Sequence, residues 1–418
     1  MVNGNRIDGG PRSAIVVGAG IVGLSTAWFL QERGVSVTVV DRVGVAAGAS
    51  WGNAGWIAPA LSIPLNEPHM LRYALRSLPN RSGPVRIPLT VDPALWKFLM
   101  RFAVNCRESS WTRAARAGAT LGQGCMEAYD VLVSNGVDAV TTEAPITALF
   151  HTSQHAEHLL DELQRLRDAG QPISTTELTG AALREQIPLA SSWVGVGVRI
   201  DGQRFVDPGR FVQALGRSVV ERGAELHTGD VADVLAVNDG VTVQPRNGPA
   251  LTADVAVIAT GAWLSRLVSR WIRVPVQAGR GYSFTVPVEH PVFGPVYLPD
   301  ARVACTPLRG KLRVTSVMEL RRPDAPASAA VVDAICESAS QFLDGVRWAE
   351  RDEIWVGPRP LTPDGRPLVG QVSGHRVYVA GGHGMWGMKQ GPVTGRLLAE
   401  QIATGKQPAA LREFDPLR

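Results

Sequence analysis

The chain has 418 residues, more than one ordinary core accommodates, so two domains are expected. With 45% hydrophobic and 19% charged residues it has the composition of a globular protein, and its formal net charge is only +4. Of its 42 basic residues 38 are arginine, scattered without runs and without interleaved aromatics, which argues against nucleic-acid binding.

The opening MVNGNRIDGGPR is polar and lacks the apolar stretch of a secretory signal. Ser13 to Leu30 carries no charge over eighteen residues and mimics a short transmembrane helix, but its glycines read differently. Ala14 to Val17 is a short apolar run, as expected of a buried parallel strand. Gly18-Ala19-Gly20-Ile21-Val22-Gly23 is a GxGxxG, Leu24 to Arg33 has helical apolar spacing, and Gly34 ends it. Val35 to Val40 is a second β-branched strand closed by Asp41, 18 residues after Gly23. In such a unit Gly18 permits the tight turn, Gly20 admits a pyrophosphate close to the backbone, and Gly23 lets helix and strand pack. The helix N-terminus faces the anion, Ile21 and Val22 before it are expected cofactor contacts together with Arg42, and the carboxylate accepts from ribose hydroxyls. This predicts a dinucleotide site, with NAD and FAD both open at this point.

After Asp41 the chain enters a small-residue loop, Gly44 to Ala49, then Ser50-Trp51-Gly52-Asn53-Ala54-Gly55, instead of a second helix. Small residues with one hydroxyl and one carboxamide suit close approach to a flat polar ligand; a plain connecting loop is the alternative. Further on, Asp207-Pro208 has the form of an N-cap followed by proline at N1, opening the helix Arg210 to Arg222. Strands are expected near Glu225 and Val241. Asp254 to Ile258 reads as a strand ending in Ala259-Thr260-Gly261-Ala262-Trp263, and Gly281-Tyr282-Ser283 opens another. Gly357-Pro358-Arg359-Pro360-Leu361-Thr362-Pro363-Asp364-Gly365 and Gly382-His383-Gly384 complete the set.

In their order and spacing these stretches resemble the D-amino acid oxidase superfamily of FAD-dependent enzymes, and more narrowly the bacterial D-amino acid dehydrogenases. The resemblance implies an α/β fold: a Rossmann-like FAD-binding domain, with a second α+β substrate-binding domain roofing the flavin. The FAD-binding domain is expected to be discontinuous, at 13–68, 201–270 and 350–418, and the substrate-binding domain at 69–200 and 271–349. It implies FAD, with Ser50, Asn53, Ala54, Gly55, Thr260 and Gly261 as contacts and Val231 touching adenine through its backbone. The family often has Glu where this chain has Asp41; both accept ribose hydroxyls.

Arg359 sits between two prolines, and its planar fork matches a carboxylate in two hydrogen bonds. The resemblance makes it the anchor of the substrate carboxylate, with a structural ion pair as the alternative. Tyr282 is a second anchor by its hydroxyl, or else a half-buried strand aromatic. The implied reaction is oxidative deamination of a D-amino acid, or of a cyclic or secondary one. The α-hydrogen leaves as hydride to flavin N5, driven by a neutral amine, and water converts the imine to a 2-oxo acid and ammonia. No acid–base residue is then required, and none is evident.

The second glycine loop, Gly381 to Gly391, lies between a strand at His375 to Ala380 and a helix at Pro392 to Ile402. Gly384, Met385, Trp386 and Gly387 are expected at the flavin ring, where the helix N-terminus offsets the negative charge of the reduced ring. His383 lies beside the flavin or substrate, or is a hydrogen-bonded structural histidine; Lys389 is ambiguous. No cysteine follows Cys336, so FAD is expected to be non-covalent. In glycine- or sarcosine-type oxidases a lysine follows the loop histidine by three residues, whereas Lys389 follows His383 by six. That oxygen-using type, and a flavin-binding protein without turnover, remain the alternatives.

No metal is expected. His151, His155 and His158 have the i, i+4, i+7 spacing of one helix face, beside the expected helix Gln154 to Ala169, but no glutamate is placed as in HExxH. Cys106, Cys125, Cys305 and Cys336 show no CxxC spacing, which fits reduced thiols and a cytoplasmic setting. The electron acceptor is a quinone, a dye or oxygen. A peripheral contact with the inner membrane face, through exposed apolar residues such as Trp96 or Phe98, is left open beside a core role for both.

Overall fold

The computed structural model describes residues 9–68, 85–86, 92–237, 239–372 and 376–418. The proline-rich stretch from Pro79 and the residue His375 fall outside them, apart from 85–86 and the residues from 92 onward. Among the described residues two large sheets organise the chain.

The first sheet has six strands in the spatial order Glu225–Thr228, Ser36–Asp41, Ser13–Val17, Val255–Ile258, Val377–Gly381 and Leu368–Gln371. The first five run parallel and the last is antiparallel. Its central strands are apolar on both faces because helices cover one side and a three-stranded antiparallel sheet, Val231–Val237, Gly240–Pro245 and Leu251–Ala253, lies towards the other. The helix Ile21–Gln31 is almost wholly buried, which explains the membrane-like composition of its window. No helix among the described residues is long and apolar enough to cross a membrane.

That helix starts at Ile21, not Leu24, so its N-terminus lies inside the glycine fingerprint. The final helix is also longer than expected, Gly387–Thr404, with Pro392 inside it. A proline there removes the hydrogen bond to the carbonyl four residues back, at Met388. The Tyr129 hydroxyl donates to that carbonyl at 2.7 Å and replaces the missing donor. The two helices pack face to face: a Cβ on Gly395 would stand 2.6 Å from the backbone at Ser25 and Thr26, and one on Gly391 would stand 3.0 Å from Ile21. Helix Pro208–Glu221 is capped as read, Asp207 accepting from Arg210 N at 3.2 Å.

The second sheet has nine strands and contains Ile146–Phe150, Thr175–Thr179, Val196–Ile200, Gln277–Pro287, Val303–Leu308, Lys311–Leu320 and Asp352–Leu361. Strand Asp352–Leu361 pairs along Gln277–Pro287, although it falls in the segment 350–418 expected on the cofactor side. Helix Cys125–Ser134, expected on the substrate side, packs its Tyr129 and Leu132 into the core of the first sheet. The helix near the three histidines spans Ser153–Asp168. Trp96 is 50% exposed, whereas Phe98 is buried beside Leu95 and Leu361 and offers no surface.

Candidate active site

A cleft enclosing about 1260 Å³ of open space runs between the two glycine turns. Gly18, Gly20, Ile21, Val22, Asp41 and Arg42 line one part; Pro358, Arg359, His383, Gly384 and Gly387 line another. Ser50, Asn53, Val231, Thr260 and Gly261 lie along it as well.

At the first turn Gly18 has φ +116, and a Cβ there would stand 2.8 Å from the Ala259 carbonyl carbon. A Cβ on Gly23 would overlap the Gly18 carbonyl oxygen, so Gly23 lies behind the cleft and closes helix on strand. The Asp41 carboxylate accepts from Ala19 N at 2.8 Å and from Val43 N and Gly44 N at 2.9 Å. It thereby ties the fingerprint to the next loop while lining the cleft. Ser50 Oγ accepts from Ile21 N at 3.1 Å and pins that loop to the helix N-terminus.

The loop continues away from the cleft. Asn53 Oδ1 accepts from Gly55 N at 2.9 Å, and the Ala54 carbonyl accepts from Thr306 Oγ1 at 2.8 Å. Gly55, at φ +78, lies against Val206. Ala54 and Gly55 are therefore anchors of the loop and not cleft-lining contacts. Met385 and Trp386 are also outside the lining: Met385 packs with Leu361 and Phe98, and the Trp386 ring centroid lies 5.6 Å from Lys389 Nζ.

Around the expected Arg42, three residues not assigned to the site from sequence come together: Trp263 and Arg266 in the lining and Asp324 beside them. Arg42 lies 4.5 Å over the Trp263 ring, and Asp324, from the loop after Lys311–Leu320, meets Arg42 at 3.5 Å, Trp263 Nε1 at 3.5 Å and Arg266 at 3.8 Å. Trp263 closes a motif already singled out, and Arg266 follows it by three residues, so a signal was present. Asp230, also in the lining, follows the end of a strand and pairs with Arg246 at 2.8 Å.

The Arg359 guanidinium lies over Gly281, and its NH1 donates to the Val317 carbonyl at 3.1 Å. Among the described residues it forms no ion pair, and the Val317 carbonyl is the partner it has. Burial lowers its pKa to about 10, so it remains a cation at neutral pH. Tyr282 is corrected: its side chain is wholly buried in the core that packs against helix Ala329–Ser340. Its hydroxyl donates to Glu319 at 3.2 Å and accepts from Ser328 N at 3.2 Å, so it is absent from the cleft. Successive strand residues face opposite sides, and Gly281 takes the side on which Arg359 lies.

His383 is 3% exposed, and its Nε2 meets Thr394 Oγ1 at 3.0 Å. Burial lowers its pKa to about 3, so it is a neutral imidazole, and its Nδ1 has no partner. Lys389 points elsewhere: it is buried and donates to Ser62 Oγ. Burial lowers its pKa to about 8.

The three histidines do not converge, and His151 precedes the helix that carries the other two. His151 bonds the Trp193 carbonyl at 2.6 Å and stacks on its ring. His158 instead lies with Glu67 and Glu162, their ligand-type atoms within 4.8 Å of one another. Arg165 pairs with Glu67 at 3.2 Å; burial, then the Glu67 charge, raise the Glu162 pKa to about 8.

The cleft fits FAD on its own features. At two helix N-termini, Ile21 and Gly387, the N-cap residue supplies no side-chain cap and the first turn holds no acid. Thr260 Oγ1 and His383 Nδ1 are buried, cleft-lining groups without partners. The glycine cradle admits a pyrophosphate at one end, and the second turn admits a flat ring at the other.

Comparison with known proteins agrees. The model of the family described as FAD dependent oxidoreductase (DAO) matches residues 13–401. A D-amino acid dehydrogenase of Methylobacterium radiotolerans is 28% identical over 403 residues, covering 94% of this chain and 96% of its own. That of Agrobacterium fabrum is 27% identical with the same coverage. Among solved structures, glycine oxidase from Geobacillus kaustophilus shares the fold with a TM-score of 0.74 at 22% identity, covering 98% of each chain.

Proposed function

Because the chain belongs to the DAO family of FAD-dependent oxidoreductases, we propose that it oxidatively deaminates a D-amino acid, cyclic and secondary amino acids included. The observation that carries this reading is the unpaired Arg359 in the cleft. A half-buried guanidinium that lines the cleft without an acidic partner among the described residues suits an anion arriving from outside. The near full-length relatives named D-amino acid dehydrogenase support the same substrate class.

FAD, when bound, supplies a two-electron acceptor for the hydride on the substrate α-carbon; the imine left behind hydrolyses to a 2-oxo acid and ammonia. The residues then act by placement. Arg359 takes the carboxylate in two charge-assisted hydrogen bonds and fixes the α-carbon. His383 stays neutral, so it offers Nδ1 as a hydrogen-bonding group and not as a cation. On this reading the amine arrives as the free base, and its lone pair drives the departure of the hydride. Asp41 holds the ribose, and the two helix N-termini hold the anionic parts of the cofactor.

Exposed Trp96, Met100 and Val104 recur every fourth residue on helix Pro93–Asn105 and support a peripheral membrane contact, with a quinone as acceptor. The glycine oxidase likeness concerns the fold alone, so dehydrogenase is preferred to oxidase. The test is anaerobic titration of the purified holoprotein with D- and L-amino acids, glycine and sarcosine, followed by dye reduction against peroxide production. D-amino acids should bleach the flavin and reduce the dye. Bleaching by none of them, or by glycine and sarcosine alone, overturns the reading.

A further inference from the structure

We infer that a bulge in the second sheet is the seat of the Arg359 anchor, and that Gly281 and Val317 are its positioning residues. The inference rests on the proposed carboxylate-binding role of Arg359 and adds how the fork is held and aimed.

Three observations converge. Strands Gln277–Pro287 and Lys311–Leu320 pair in register except at one place: Arg280 faces Glu319 and Tyr282 faces Ser316. Gly281 alone is therefore opposed by two residues, Val317 and Met318, which is the count of a β-bulge. Val317 has φ +62, a left-handed conformation that glycine adopts freely and a β-branched residue adopts only under strain. The strained peptide presents its carbonyl to Arg359 NH1 at 3.1 Å. Across the bulge, a Cβ on Gly281 would overlap the guanidinium and stand 2.7 Å from its Nε. The fork thus lies in a slot with a carbonyl at one end and a missing side chain as its floor.

The bulge falls where strand Lys311–Leu320 passes from pairing with Val303–Leu308, which ends at Thr315, to pairing with 85–86, which begins at Met318. The neighbouring buried pair, Arg280 NH1 with Glu319 at 2.9 Å, lies beside Tyr282 on the opposite face and has its own carbonyl partners at Ala325 and Pro326. With one N–H committed to Val317, the remaining donors of Arg359 stay free for the bidentate contact.

The test is Gly281→Ala in the holoprotein. The carboxylate substrate's KM and the Kd of benzoate, read from its perturbation of the flavin spectrum, should both rise on the order of tenfold or more. The kcat should change far less, and a primary amine without a carboxylate should be oxidised as slowly as by the parent protein. Should Gly281→Ala alone fail to retain FAD, the double variant with Arg359→Lys should regain it, because the thinner side chain leaves room for the added methyl group. A benzoate Kd within twofold of the parent, or a double variant that still loses FAD, overturns the assignment. Absence of any amino-acid turnover would overturn the proposed function instead, and the benzoate titration still reads the seat.

Discussion

In the turn at Gly18 to Gly23 the decisive glycines face backbone: Gly18 lies against the Ala259 carbonyl and Gly23 against the Gly18 carbonyl. In the turn at Gly381 to Gly387 the nearest neighbour is a side chain each time: Leu264 at Gly381, Thr362 at Gly382, Leu361 at Gly384 and His383 at Gly387. Backbone pinned in a sheet cannot yield, whereas side chains can change rotamer. The first turn is therefore a fixed pattern that any reader of sequence can find. The second is an assembly negotiated among neighbours, in which positive φ at Gly382 and Gly384 is the main constraint left on the glycines. It also carries the buried His383, with the buried Lys389 just beyond it in the following helix, whereas the first carries no titratable side chain at all.

Three substitutions sharpen this contrast. Gly23→Ala should have the largest effect: the new methyl group overlaps a carbonyl that cannot move, and the flavin-to-protein absorbance ratio should fall on the order of tenfold or more. Retention of FAD at parental level would show that the turn can give.

Lys389→Met should come next. The folded-state pKa of Lys389 is lowered to about 8 from 10.5, so burial of its ammonium opposes folding fully below pH 8. That opposition fades as pH rises from 8 to 10.5, because the unfolded chain then holds the extra proton. The parent should gain thermal stability across that window and the methionine variant should not. At pH 7 the variant should be more stable, by at most on the order of 3 kcal/mol before loss of the Ser62 hydrogen bond is set against it. Parallel melting curves from pH 7 to 10 would refute this by running at constant separation.

Gly391→Ala should do least. Its methyl group meets the Ile21 branch atoms at 3.0 Å and 3.2 Å, a tight contact rather than an overlap, and alanine favours the helix, so stability should stay within about 1 kcal/mol. A large loss on thermal melting would mean that the two helices are locked as tightly as the first turn.

The same contrast explains what could be read from sequence. Asp41, Gly18 and Gly23 were legible because local geometry alone dictates them. Arg359 was legible through two flanking prolines and the chemistry of its fork. Tyr282 misled because the face a strand residue occupies depends on pairing, and the bulge opposite Gly281 leaves no mark: a valine occupies the left-handed position where glycine would have announced it. Ala54, Gly55, Met385 and Trp386 lie in the right loops, but a loop gives no period from which to decide which residues face the cleft. Pro392 shortened the expected helix because its compensating donor, Tyr129, is 263 residues away in sequence.

The order of strands in the first sheet also bears on how the protein is made. Ser13–Val17 takes one neighbour from Val255–Ile258, which in turn waits for Val377–Gly381. The helix at Ile21, nearly all of it buried in the finished fold, has its main cover in the helix Gly387–Thr404. On a ribosome the phosphate-binding turn thus emerges among the first segments and acquires its surroundings among the last. FAD can be loaded only onto an essentially finished chain, and for most of synthesis an apolar helix stands uncovered. That makes the nascent polypeptide a natural client for chaperones and places cofactor acquisition after translation.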